Sequence, residues 1–373
     1  MIVHSTLRQA CAARRAAELD SLRADRRAGT LVAGTTCHAF PAAVLAGLGY
    51  RPVRLVCDAS ADSQSLGERE VRADVCPHVK SLLGNVRARR GLHAEVDLWI
   101  GLSTCDPMRR GLGLLSSSLG QDVYPLHLPA TRTQEAEDYF AQQVSTLVAD
   151  VSARTGRAFD ADAAAHWQSE HDRAAEVLNR AARANRVSPL ELHDLFHLLF
   201  VARPHGLANF FEAQLAQTPP FRATRTVVLT GSPLAHEDTV LLEELEARRV
   251  AVVPLSCTGL NATEDSLPRS EPSGSDSPAR ALALRAFRRP PCARARPNHL
   301  VYERLGETLR TSRAAGLIVK CLTFCDLWYT ERERLRSTFG LPILVLDSDY
   351  GDGGRERLRS RVDAFAELLE QGE

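Results

Sequence analysis

The chain has almost no lysine. Lys80 and Lys320 are the only two in 373 residues, so 44 of the 46 cationic side chains are arginine, which reads as codon bias rather than function. Neither sign of charge is in excess: 46 Lys and Arg stand against 46 Asp and Glu. That balance removes the electrostatic argument for a nucleic-acid or anionic-membrane partner. No stretch approaches the roughly 18 uninterrupted apolar residues of a membrane span. The opening MIVHSTLRQACAARRAAELDSLRADRR is charged throughout and lacks the apolar core of a secretory signal. Paired CxxC runs are absent too, and nine widely spaced cysteines, an odd number, suit neither a disulfide framework nor a zinc knuckle. The expectation is a cytoplasmic protein whose thiols are free.

What is present is a folded chain, with 44% hydrophobic and 25% charged residues and a length that suits two domains. From Thr30 to about Arg132, short apolar strands (TLVAG, RPVRLVCD, VDLWIGLS, DVYPLHLP) alternate with helical stretches. That texture predicts βαβ units and a mostly parallel sheet. From Thr133 to about Ala216 apolar residues recur at three-and-four spacing, and Ser188-Pro189 with Glu191 forms a helix-start signal. The third region returns to strand and helix with TRTVVLTG, VAVVPL, GLIVKCL and LPILVLDS, interrupted by the polar LPRSEPSGSDSPARA. The expected fold class is α/β, with two Rossmann-like lobes of mostly parallel sheet joined by a helical connector. The expected division is an N-terminal helix over 1–30, a first lobe over 31–132, the connector over 133–222 and a second lobe over 223–373. His193 and His197 lie four apart on a helix, but without an HExxH acid they read as packing or surface residues rather than metal ligands.

Three cysteines share one local design. Cys76 precedes Pro77 and a helix. Cys105 follows the strand VDLWIGLS and precedes Asp106-Pro107. Cys325 follows GLIVK and a short turn and precedes Asp326. Each thiol is expected at a strand's carboxyl end or a helix start, where open parallel sheets place ligands and a helix dipole favours thiolate. Asp106 and Asp326 read as helix caps. Three thiolates on an iron–sulfur core leave one iron open for chemistry, whereas electron carriers use four.

Seven strings occur in order: CPHVKSLLG (76–84), STCDPMRR (103–110), LHLPATRTQEAEDYF (126–140), VVLTGSPL (227–234), SCTGLN (256–261), TFCDLWY (323–329) and DSDYGDGG…SRVDAF (347–365). Together they resemble the 2-hydroxyacyl-CoA dehydratase / benzoyl-CoA reductase family, specifically its dehydratase D-component subunits, from about Gly34 onward. The resemblance implies that Cys76, Cys105 and Cys325 hold a 4Fe-4S cluster. It implies an ATP-hydrolysing iron–sulfur activator protein, a homologous second subunit or a homodimer, and an acyl-CoA substrate that loses water through a ketyl radical, a carbon–oxygen lyase reaction. Another branch of the family carries a double-cubane 8Fe-9S cluster and reduces small molecules in an ATP-dependent way. For that branch Cys37, Cys257, Cys292 and Cys321 are the further candidate ligands, although the Pro-Glu pair usual after Cys37 is replaced here by Pro41-Ala42. A third reading is a non-catalytic partner subunit that only binds a cluster. Arg109 and Arg110 are candidates for CoA phosphate, Lys80 for neutralising cluster or CoA charge, and Gly231-Ser232-Pro233 for an anion-binding turn. Cys11 and Cys57 read as structural.

Overall fold

All eight apolar segments become strands. The computed structural model describes residues 5–56, 60–264, 277–350 and 354–371. The strands are β1 (Leu31–Thr35), β2 (Tyr50–Arg54), β3 (Leu98–Ser103), β4 (Val123–His127), β5 (Arg225–Gly231), β6 (Val250–Pro254), β7 (Gly316–Leu322) and β8 (Ile343–Ser348). They form two four-stranded sheets, ordered β2-β1-β3-β4 and β6-β5-β7-β8, in which every pairing is parallel. The architecture is therefore α/β with two Rossmann-like lobes. Every residue of β7 is buried, which is why a parallel strand reads as a continuous apolar run rather than an alternating one. Each sheet grows outward in both directions from its first strand, so each has a switch point, between β1 and β3 and between β5 and β7, where the crevice for ligands opens.

Helices connect the two lobes. Pro189–Val201 is buried along its whole length and shares one core with Val228, Val253 and Leu317 of the second sheet and with Leu7 and Cys11 of the first helix, Thr6–Arg27. A helix that is apolar on all sides belongs in an interior. Its start is the capping box read from the sequence: Glu191 N–H donates to Ser188 Oγ at 3.3 Å, and Ser188 N–H donates to Glu191 Oε2 at 2.9 Å. Thr6–Arg27 is tied down by ion pairs from Arg8 to Asp194 (2.7 Å) and from the buried Arg51 to Glu18 and Asp25 (2.8 and 2.6 Å).

The helix Pro278–Phe287 packs on the first lobe, where Phe287 meets Phe140 of Gln134–Thr155 at 5.4 Å. The following segment stays there too, with Arg296 N–H donating to the Ala130 carbonyl at 2.8 Å. This carries Cys292 away from its sequence neighbours in the second lobe and toward the carboxyl end of the first sheet. No helix among the described residues is long and apolar enough to cross a membrane.

Candidate functional site

The carboxyl ends of the two sheets face each other, and the cysteines line the seam between them. Cys37 and Cys105 each lie two residues beyond their strands, β1 and β3; Cys257 and Cys325 each lie three residues beyond β6 and β7. Cys76 comes from the loop that follows the helix Ala61–Gly67 and is the N-cap of Pro77–Arg87. Cys105 and Cys325 are likewise the N-caps of Asp106–Ser117 and Asp326–Tyr329. Asp106 and Asp326 are thus not the caps but the first helical residues, one position later than expected. Cys105 has the extended backbone of a cap (φ −155°, ψ 169°), and the acids gain instead from the helix dipole. The turn from β7 into Cys325 is made by Phe324 with φ 62°, a left-handed conformation that is uncommon outside glycine.

Close helix packing sets the position of Cys76. Ala61–Gly67 lies against Pro77–Arg87 so tightly that a Cβ on Gly67 would stand 2.0 Å from the Lys80 carbonyl oxygen, and one on Gly84 1.8 Å from that of Ser63. Ser63 Oγ donates to Asn85 Oδ1 at 2.8 Å across the same contact. Lys80 is buried and bound to Glu68 (2.8 Å) and to the Ala73 carbonyl (3.0 Å), so it ties this helix pair together and does not face a ligand.

Cys76 and Cys325, from opposite lobes, pack on one apolar group formed by Ala235, Leu322 and Tyr350. Cys105 and Cys76 both pack against the first-lobe core. Cys76 senses the charge of Cys325 and Cys105, and Cys105 that of Cys325. Burial, together with Cys325 and Cys105, pushes the Cys76 thiol up to about 12, while the His78 and Val79 backbone N–H groups pull the other way. The Cys105 thiol is also raised, by burial first, against the opposing Met108 N–H. As free thiolates these groups repel one another in a poorly solvated place. A cationic core would reverse that penalty, and helix N–H groups already favour negative charge on Cys76 and Cys105.

A second group of three lies nearby. Burial first and then Cys292 raise the Cys37 thiol, and burial with Cys37 and Cys292 pushes Cys257 up to about 12. The surroundings are cationic. Arg54 bonds to Cys257, and Arg54 and Arg294 lower the Cys37 pKa. Arg294 is itself held by the carbonyls of Thr104 (3.2 Å) and Pro129 (2.7 Å). Arg54 also depresses the pKa of His78, the residue two after Cys76, so one guanidinium lies between the two thiol groups.

The remaining candidates join neither set, although Cys325 is the second cause, after burial, of the raised Cys321 thiol. Cys321 and Cys11 are buried in the large apolar core, and burial pushes each thiol up to about 12. Cys57 lies outside the described residues. Arg109 and Arg110 are on the solvent side of Asp106–Ser117, with Arg109 paired to Asp106 at 3.5 Å. The Gly231-Ser232-Pro233 turn is no anion site. Ser232 N–H donates to the Lys320 carbonyl (2.7 Å) and Ser232 Oγ accepts from Leu322 N–H (3.0 Å), so its polar groups lace β5 to β7. His193 and His197 are joined by His236 in a cluster of three rings, with centroids 4.3 to 6.1 Å apart. Sequence patterns could not show this, because His236 comes from the loop after β5. Among the described residues no three His, Cys, Asp or Glu side chains close around a single metal-ion position.

The chain is 20% identical over 361 residues to "Putative dehydratase subunit YjiM" of Escherichia coli (strain K12), covering 91% of this chain and 92% of that protein. A family model described as 2-hydroxyglutaryl-CoA dehydratase, D-component, matches residues 37–369, from the first seam cysteine to the last helix, and the chain belongs to that family.

Proposed function

We propose that this chain is the iron–sulfur subunit of a 2-hydroxyacyl-CoA dehydratase-like lyase. One observation carries the reading: Cys76, Cys105 and Cys325, from three distant segments and both lobes, meet at three helix starts in one seam. The donor set fits a polynuclear core. It is all sulfur, half-buried, electrostatically coupled, and not gathered tightly enough for a lone ion. Bound there, a 4Fe-4S cluster would supply low-potential one-electron chemistry for removing water from an acyl-CoA, after ATP-dependent charging by an iron–sulfur activator protein. The chain's own residues hold the sulfurs in place. N–H groups of His78, Val79 and Met108 stabilise negative charge on them, and Ala235, Leu322 and Tyr350 keep water from the Cys76–Cys325 side. Arg109 and Arg110, exposed on the helix that Cys105 caps, would meet CoA phosphate, Arg109 in place of its surface pairing with Asp106. The activator protein and a homologous second subunit, or a second copy of this chain, complete the proposed enzyme in the cytoplasm.

The test is iron and acid-labile sulfide per chain after anaerobic purification, with about four of each expected for a single cubane. Replacing Cys76, Cys105 and Cys325 together by Ala should remove the brown chromophore. Colour and iron retained in that variant would show the ligand assignment to be wrong.

The Cys37, Cys257 and Cys292 group favours a second reading, a double-cubane 8Fe-9S protein that reduces small molecules. Six seam thiols in two sets of three match two linked cubanes better than one. About eight irons per chain would select this reading over the first. A stoichiometric cluster without dehydration or reduction, when activator and ATP are supplied, would leave the non-catalytic partner role.

A further inference from the structure

Arg51 and Arg54 lie three residues apart on β2 and are satisfied in opposite ways. Arg51 is buried and held by two carboxylates, Glu18 at 2.8 Å and Asp25 at 2.6 Å. Arg54, the half-buried last residue of the strand, has no carboxylate partner among the described residues. Its one polar contact there is a hydrogen bond to the Cys257 thiol, its Nε and Nη1 are closed off without a partner, and its guanidinium lies over the Phe200 ring at 4.4 Å. Arg132 and Arg294, which also act on these thiols, are held by main-chain carbonyls. Arg132 donates to that of Phe287, and Arg294 to those of Thr104 (3.2 Å), Pro129 (2.7 Å) and Leu128. Glu137, which raises the Arg132 pKa, is taken up by Arg288 at 2.6 Å.

Cations gathered without a counter-charge repel one another, and Arg294 does depress the Arg132 pKa. Partial burial adds to the cost, since a guanidinium drawn out of water needs an anion or a full set of acceptors. Neutral thiols at Cys37, Cys257 and Cys292 supply neither. Three thiolates on a metal core would supply both, because such a core is anionic and its sulfurs accept N–H bonds. Arg132 and Arg294 keep their carbonyls whatever the thiols hold. Arg54 differs: sulfur is its one polar partner, so its charge is matched by this set of thiols or not at all.

We propose that Arg54 is a positioning residue for an anionic core on Cys37, Cys257 and Cys292, holding the Cys257 sulfur in place and supplying positive charge that the core requires. The inference rests on the second reading above, in which this set of thiols carries iron. A cation beside an iron–sulfur core favours its reduced, more negative form, so Arg54 also raises the midpoint potential of that core. The test is iron and acid-labile sulfide per chain on the full chain purified anaerobically, with a redox titration followed by electron paramagnetic resonance. The wild type is expected to hold about eight irons. Arg54→Met, which removes the charge, should fall to about four, the Cys76 set keeping its own, and Arg54→Lys should hold about eight. Should Arg54→Met keep its iron, the midpoint potential of the second core should be lower and Arg54→Lys should return it. Arg51→Met is the control for structure alone: it should lower the urea midpoint and leave iron per chain unchanged. About four irons in the wild type would reject the second reading, and this role with it. With about eight in the wild type, three results would overturn the role alone. They are Arg54→Met with full iron at an unchanged potential, Arg54→Met without any iron, and Arg54→Lys losing iron as Arg54→Met does.

Discussion

The rings of His78 and Tyr350, 272 residues apart in sequence, meet edge-on with centroids 6.4 Å apart, and the Tyr350 hydroxyl donates to the Pro233 carbonyl at 2.7 Å. Tyr350 and Pro233 belong to the second lobe, and His78 to the helix capped by Cys76. The contact therefore sits beside the candidate ligands and helps to hold the two halves of the seam together. Gln64 of the first lobe adds a second tie, its Nε2 donating to the Asp349 carbonyl at 2.6 Å. Removing the hydroxyl with Tyr350→Phe leaves the ring contact and loses the hydrogen bond to Pro233 together with the longer 3.4 Å contact to His78 Nδ1. The expected cost is about 1 kcal/mol in urea denaturation. Unchanged stability would mean that the seam is held elsewhere.

Glycines on the first-lobe helices provide a paired prediction. A methyl group at Gly84 runs into the Ser63 carbonyl, which is backbone and cannot yield. Gly84→Ala should therefore destabilise by about 1–3 kcal/mol, and it should lower iron content because the helix that starts at Cys76 is displaced. Gly113, on the exposed face of Asp106–Ser117, has nothing within 4 Å of a built Cβ. Gly113→Ala should stabilise by about 1 kcal/mol through helix propensity alone. Thermal melts of the two variants should move in opposite directions; a shift in the same direction would contradict the close-packing account.

Both lobes could be read before the structure because parallel strands buried on two faces leave long apolar runs, and all eight runs became strands. The helix-start design at Cys76, Cys105 and Cys325 could be read for the same local reason. Side-chain fate could not. Lys80 faces inward because a helix packed against its neighbour through glycines needed an internal tie. Asp106 gave up the cap because the extended turn out of β3 ended one residue earlier, at Cys105. Cys292 joins Cys37 and Cys257 only because Pro278–Phe287 crosses back to the first lobe, an excursion without a periodic signal. The His193–His197–His236 cluster is likewise a product of tertiary packing.

Acid should weaken the fold well above the carboxylate range. His93 and His193 are 4% and 7% exposed, and burial is the main cause holding each near 4. An imidazole depressed below its unfolded value of 6.5 contributes stability that is complete above pH 6.5 and is lost as pH falls toward 4, because the unfolded chain takes up the proton first. At pH 5 each costs about 2 kcal/mol relative to pH 7.5. Urea midpoints should fall steeply between pH 6.5 and 4.5. In imidazole NMR titrations, these two rings should stay neutral through pH 5. Titration of either ring near 6.5 would show that it is solvated and would remove it from this account.

The two thiol groups allow a decisive pair of variants. Arg54 lies between them, bonded to Cys257 and close enough to His78 to depress its pKa, so the groups are neighbours with different surroundings. Cys76, Cys105 and Cys325 sit at helix starts, where the positive end of the helix dipole favours thiolate. Cys37, Cys257 and Cys292 depend on Arg54, Arg132 and Arg294 for compensating charge. If each set holds a cubane, replacing Cys37, Cys257 and Cys292 together by Ala should remove about half of the iron and leave a single-cubane spectrum. If only the first set holds one, the same replacement should leave iron content unchanged. Stability should then rise slightly, since buried thiols facing guanidiniums give way to small apolar groups. Iron and sulfide per chain, read with electron paramagnetic resonance of the reduced protein, separate the two outcomes. Complete loss of iron from this variant would contradict both, because the Cys76 set alone is expected to retain a cluster.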